Sequence, residues 1–237
     1  MKRIAFMIFR NFWIFPYLYI KLVILARSKT ATDEQRYEHI RKITYYANKS
    51  GRVHIECYGK ENIPKDNGYI LFPNHQGLYD VLTIVDTHEK PLSVIMKKEL
   101  QKIPMLNKVF LAMRAHSIDR DNIRQSMKVI QEVSKEVKEG RNFIIFAEGT
   151  RSKEGNKPGE FKGGSFKSAI NAKCPIVPVA LVDAYKPFDI SSIKKVTVKI
   201  SYLEPLYYED YKGMKTTQIA DLVKQRITNR IEEIIAK

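Results

Sequence analysis

Cysteine is nearly absent from this chain: of 237 residues, only Cys57 and Cys174 carry a thiol. Two thiols so far apart supply neither a disulfide framework nor a four-cysteine zinc site, and they suit a reducing compartment. Acidic residues are scarce beside basic ones, 26 against 41, which leaves a formal charge of +15. Internal repeats and low-complexity linkers are missing too. No small-residue cleavage site follows the apolar N-terminus, as a secretory signal would require. What is present is 44% hydrophobic and 28% charged. That composition fills a sizeable core and excludes disorder as the main state, and the length suits one large domain by default.

A field of +15 favours a polyanionic partner: nucleic acid, an anionic membrane surface or a phosphorylated substrate. Charge alone does not choose among them, since a basic surface also serves solubility. The placement of apolar residues does. Residues 4–26 read IAFMIFRNFWIFPYLYIKLVILA. As one helix at about 100° per residue, Arg3, Arg10, Tyr17 and Lys21 would share a stripe, and Phe6, Phe9, Phe12, Trp13, Phe15, Leu18, Leu22 and Leu25 would fill the other faces. A basic stripe on an aromatic-rich helix describes an element lying in the membrane interface. Arg3, Arg10, Phe12, Trp13 and Lys21 are therefore the expected membrane-binding residues. A single span and a buried core helix are the competing placements, and Pro16 is expected to kink or split the segment. A second helix is expected over 33–48, capped by Thr32 or Asp33, with Tyr37, Ile40 and Ile43 on one face. Together they make a helical hairpin over residues 1–50, ahead of a domain over 51–237.

From Val53 the pattern becomes an alternation. Strands are expected at 53–59, 68–74, the start of 91–100, 142–149, 174–184 and 195–205. Helices are expected at 78–88, 121–140, 165–172 and 216–236, with Gly140 closing the second. In the helix over 121–140, Ile123, Met127, Ile130 and Val133 to Val137 set the apolar repeat. This alternation predicts an α/β fold, a mixed sheet flanked by helices.

The reactive residues sit where strands end. In NHQGLYD (74–80), His75 and Asp80 flank a strand-to-helix junction. A histidine oriented by a carboxylate is a general base. With no serine or cysteine obvious beside it, the hydroxyl it activates belongs to the substrate. Taken alone, such a pair also fits a cap or a surface contact. FAEGTRS (146–152) delivers Glu148, Gly149, Thr150 and Arg151 from the end of a strand. A glycine turn offers N–H groups to an anion and Arg151 forks onto phosphate, although an ordinary charged turn reads the same way. KKEL (97–100) adds Lys97, SIDR (117–120) adds Arg120, and IVPVAL (176–181) is a core strand whatever the function. Neither zinc-finger spacing nor an RNA-binding aromatic signature is present, so nucleic acid is not the expected partner.

In this order, NHQGLYD, KKEL, SIDR, FAEGTRS, FKGG and IVPV, the chain resembles the phospholipid acyltransferase family, bacterial 1-acyl-sn-glycerol-3-phosphate acyltransferases above all. The resemblance runs from about residue 53 to about 205. It implies that His75 is the catalytic base and Asp80 its orienter. It also implies that Glu148, Gly149, Thr150 and Arg151 with Arg120 bind the glycerol phosphate, and that Lys97 contacts phosphate. The implied reaction moves a fatty acyl group from acyl-CoA or acyl carrier protein to the 2-hydroxyl of lysophosphatidic acid. It needs no metal or other cofactor and takes place at the cytoplasmic face of the cell membrane. Backbone N–H groups near Gly149 or after Asn74 would then hold the oxyanion. Gly77, Ala147, Arg114, His116 and Ser117 depart from the common family pattern, which bears on the shape of the acceptor pocket. Glycerol 3-phosphate or another lysophospholipid is the alternative acceptor. A non-enzymatic basic membrane-binding protein is the alternative from another class.

Overall fold

The structure, a computed structural model, describes residues 2–236. Three helices lead: α1 (Lys2–Arg10), α2 (Phe15–Arg27) and α3 (Asp33–Gly51). There follow β1 (Val53–Tyr58), β2 (Ile70–Pro73), α4 (Asp80–Thr87), β3 (Leu92–Lys97), α5 (Pro104–Ala112), β4 (His116–Ile118), α6 (Ile123–Lys138), β5 (Asn142–Ile144), α7 (Lys167–Ala172), β6 (Ile176–Val182), α8 (Lys186–Asp189), β7 (Val196–Tyr202), α9 (Tyr208–Tyr211) and α10 (Thr216–Ile235). The strands form one sheet in the order β1-β7-β6-β2-β5-β3-β4. All neighbours are parallel except β6 and β7, so the expected mixed sheet is present.

Period-two alternation sorts each central strand between two cores. Tyr69 and Leu71 face one side with Val177, Val179 and Leu181, under α3, α4 and α5. Ile70 and Phe72 face the other with Ile176, Ala180 and Val182, under α6, α7 and α10. Burial on both faces explains why these strands read as unbroken apolar runs. The N-terminal helices share the first core: Met7, Leu22, Tyr37 and Ile40 pack in the same cluster as Leu71 and Val198. The core is thus continuous across residues 50 and 51, where the sequence suggested a boundary.

Residues 4–26 differ from the expected single helix. The segment breaks at residues 11–14, and α1 and α2 diverge by 98°. Asn11 pins the break to α3, donating from Nδ2 to the Tyr46 carbonyl at 3.2 Å and to Ser50 Oγ at 2.7 Å. Pro16 lies in the first turn of α2, where its missing N–H costs no hydrogen bond. Among the described residues no single helix is long and apolar enough to cross a membrane; the bent pair meets that test only by length and composition. The basic stripe does not survive the bend. Arg3 is 2% exposed and donates to the carbonyls of Pro187 (3.0 Å), Lys194 (2.9 Å) and Gly51, so it anchors α1 internally and is not a membrane contact. Arg10, Lys21, Phe12 and Trp13 are exposed, and Arg10 also donates to the Ser50 carbonyl at 3.2 Å. The inside of the bend is an apolar hollow lined by Ala5, Ile8, Phe9, Phe12, Phe15 and Pro16.

Candidate active site

Topology decides which residues meet. Strands β2, β5, β3 and β4 run parallel side by side, so the loops leaving their C-terminal ends share one edge of the sheet. Open parallel sheets bind ligands at that edge. The NHQGLYD loop leaves β2, FAEGTRS leaves β5, Lys97 ends β3 and Arg120 follows β4. Four segments far apart in sequence thus fall into one row.

Asp80 begins α4 and is fully buried. Its Oδ2 accepts His75 Nδ1–H at 2.7 Å, Gln76 N–H at 2.7 Å and Gly77 N–H at 3.0 Å. Burial pushes the Asp80 carboxyl up from its usual range; the His75 contact and the two backbone donors pull the other way. Nδ1 of His75 therefore carries the proton, and Nε2 presents a lone pair. Nε2 has no hydrogen-bond partner among the described residues. The ring lies against Phe146, centroids 4.2 Å apart, which leaves its outer edge partly open to solvent. The nearby Ser152 hydroxyl donates to the Lys157 carbonyl, and Cys174 is packed in the second core, so neither stands as a nucleophile beside the histidine.

Glu148 has a different task from the one the sequence suggested. It is 3% exposed, and its two oxygens accept the N–H groups of His75 (2.6 Å) and Gly159 (2.7 Å). Burial raises its carboxyl above the usual range against those two donors. Both oxygens accept backbone N–H groups, so in this structure Glu148 positions the histidine segment. The sites proposed for the oxyanion are also engaged. His75 N–H serves Glu148, Gln76 and Gly77 serve Asp80, and Gly149 N–H donates to the Phe146 carbonyl at 3.1 Å. The N–H groups of Thr150 and Arg151 have no acceptor among the described residues.

The cations lie along the row. Arg151 is half-exposed, 3.8 Å from the Asp189 carboxylate. Lys97 is exposed with its Nζ 3.1 Å from Glu99, and Arg120 is exposed without an ion pair among the described residues. Gly149 adopts φ +70°, a conformation that favours glycine, and a Cβ there would stand 3.2 Å from Lys162 Nζ. Lys162 is thus a further cation beside the turn, which the sequence analysis did not single out; its position in FKGG was the available signal.

Asn74, Gln76 and Asn156 were also missed. Asn74 extends the ladder beyond Pro73: its Oδ1 accepts Leu181 N–H at 2.7 Å, and its Nδ2 donates to the Leu181 carbonyl at 3.1 Å. Gln76 accepts Ala184 N–H at 2.7 Å and donates to Asn156 Oδ1 at 2.8 Å. These amides fix the residues on either side of His75 to β6. An amide beside a motif histidine was the only trace of this in the sequence.

The acyltransferase family model matches residues 54–182. The chain is 29% identical over 185 residues to the 1-acyl-sn-glycerol-3-phosphate acyltransferase of Borreliella burgdorferi, covering 78% of this chain and 71% of that protein. It is likewise 29% identical over 181 residues to the enzyme of that name from Bacillus subtilis, covering 76% and 87%. The crystal structure of the 1-acyl-sn-glycerophosphate (LPA) acyltransferase PlsC from Thermotoga maritima has the same fold, with a TM-score of 0.79, 23% identity and coverage of 100% and 99%. Because the matched segment takes in more than half of the chain, with His75, Asp80, Glu148 and the four cations of the row inside it, this chain belongs to the acyltransferase family.

Proposed function

We propose that this protein transfers a fatty acyl group from an acyl thioester to the 2-hydroxyl of 1-acyl-sn-glycerol 3-phosphate, giving phosphatidic acid. The observation that carries this reading is a histidine base held by a buried carboxylate, its free Nε2 directed to no nucleophile of the chain. His75 Nε2 takes the hydroxyl proton while the hydroxyl oxygen attacks the thioester carbonyl. The tetrahedral oxyanion then collapses, the carbon–sulfur bond breaks, and the imidazolium returns its proton to the leaving thiolate. Asp80 stabilises the transient imidazolium, and general-base assistance of this kind contributes about 10²–10⁴-fold. Thr150 and Arg151 N–H are the donors left for the oxyanion. Arg151, Lys162, Lys97 and Arg120 are the cations available to a glycerol-linked phosphate.

The relatives bearing the 1-acyl-sn-glycerol-3-phosphate acyltransferase name favour this acceptor over glycerol 3-phosphate. The formal charge of +15 and the exposed Phe12, Trp13 and Lys21 support work at an anionic leaflet on the cytoplasmic side. The donor is acyl-CoA or acyl carrier protein. The test offers purified protein labelled acyl-CoA with lysophosphatidic acid, glycerol 3-phosphate or lysophosphatidylcholine. Lysophosphatidic acid is expected to be the best acceptor by kcat/KM, and finding it the poorest overturns the assignment.

A further inference from the structure

Outside the N-terminal helices, several of the exposed aliphatic side chains fall at one edge of the sheet, while others, such as Leu111 and Ile235, end helices elsewhere. The segments leaving the C-terminal ends of β2, β3 and β4 expose Leu78, Ile103, Met105, Ile123 and Met127. Ile123 and Met127 are 75% and 53% exposed, one turn apart at the start of α6. In sequence they continue the apolar repeat of that helix, yet of that repeat the core takes Val129, Val133 and Val137 and leaves these two exposed. The loops of the opposite edge, residues 59–69, 89–91, 139–141 and 173–175, expose no large aliphatic side chain. Clustered apolar surface on so charged a protein marks a contact site.

Two further features name the occupant. Lys102 and Arg124 flank the aliphatic groups, exposed and without an ion pair among the described residues, while nearby Lys97 and Lys98 are paired with Glu99 and Asp119. The turn bearing Phe12 and Trp13 also lies at this edge: α3 runs directly into β1, which begins beside the start of β7, and β7 is antiparallel to β6. The aliphatic groups come from both faces of the sheet. A flat, anionic surface reaches all of them together, whereas a compact protein partner covers one face.

We infer that Leu78, Ile103, Met105, Ile123 and Met127 form a second foothold on an anionic lipid leaflet, across the site from Phe12 and Trp13. The sheet then stands on its catalytic edge, with the row of cations at headgroup depth. This rests on the reading that the acceptor is a membrane lipid. The test uses the full chain with vesicles of phosphatidylcholine and phosphatidylglycerol. Ile123→Glu/Met127→Glu is expected to lower vesicle partition about tenfold, equivalent to about 1.4 kcal/mol. Turnover of monomeric, short-chain lysophosphatidic acid should hold within about twofold. Arg124→Gln should weaken binding to the mixed vesicles and spare pure phosphatidylcholine. Ile123→Ser/Met127→Ser, checked for unchanged thermal unfolding, serves if the glutamates disturb the helix. Unchanged partition in both double variants overturns the inference. So does intact partition with a raised KM for an acyl carrier protein donor, which would make α6 a protein-docking face. Variants that lose vesicle binding, alongside a wild type that acylates no lysolipid, would refute the reaction and leave the foothold standing.

Discussion

Replacing Glu148 with glutamine separates a positioning carboxylate from a substrate ligand. Both carboxylate oxygens accept backbone N–H groups, from His75 at 2.6 Å and Gly159 at 2.7 Å, inside a nearly closed site. Glutamine keeps one acceptor and turns an amide N–H₂ toward the other donor. The loss is one charge-assisted hydrogen bond, about 1.5–3 kcal/mol, together with part of the cost of a buried donor left unpaired, about 1–3 kcal/mol. A net of about 2–4 kcal/mol, at about 2–4 °C per kcal/mol for a chain of this size, lowers Tm by about 5–15 °C. Because the His75 backbone is the released partner, the ring moves, and a displacement of about 1 Å costs about 10²-fold in kcat. Thermal unfolding without substrate and steady-state kinetics on lysophosphatidic acid read the two effects separately. An unchanged Tm with KM alone raised would show that Glu148 touches substrate, and the positioning argument would be wrong.

The remaining expectations follow from the same contacts. Asp80→Asn should lower kcat by about 10²-fold or more and should also lower Tm, since its carboxylate, like that of Glu148, accepts backbone N–H groups that an amide only partly satisfies; an unchanged kcat in steady-state assays would contradict this. Burial raises the folded-state values of Asp80 and Glu148 above their unfolded values of about 3.9 and 4.3. The stability they contribute is therefore fully present below about pH 4 and is lost as pH rises through the raised values. The pH dependence of denaturant unfolding should flatten above pH 4 in Asp80→Asn. Arg3→Lys should destabilise by about 1–3 kcal/mol in the same assay, because a single ammonium does not span the three carbonyls that the guanidinium fork reaches and leaves a buried one without a donor. Phe12→Ser/Trp13→Ser should cut partition into anionic vesicles by more than about tenfold, with thermal unfolding unchanged, because both rings are exposed.

Most of the sheet and the histidine–aspartate pair were legible because their signals are local. The apolar run at 174–184 became β6 (Ile176–Val182), and Thr32 caps α3 in a box with Gln35. Strand β4 spans three residues, too few to show a period, and α5 lay behind a basic loop. The fate of residues 4–26 was illegible because the break depends on Asn11 reaching Tyr46 and Ser50 on another helix, a tertiary contact that helical spacing does not encode. Arg3 was misplaced for the same reason: a basic residue beside aromatics reads as a lipid contact until three carbonyls from distant segments are seen around it. Likewise, the sequence could not show that both Glu148 oxygens accept backbone N–H groups of the histidine segment and of Gly159.

In the proposed reaction His75 moves a proton between two molecules that both come from outside the chain. The most direct measurement is a pre-steady-state comparison of wild type and His75→Ala with labelled acyl thioester and lysophosphatidic acid. Phosphatidic acid should form without an acyl-protein burst in the wild type and about 10²–10⁴-fold more slowly in the variant. A covalent acyl-protein that forms and decays at the rate of turnover, or a variant as fast as wild type, would contradict it.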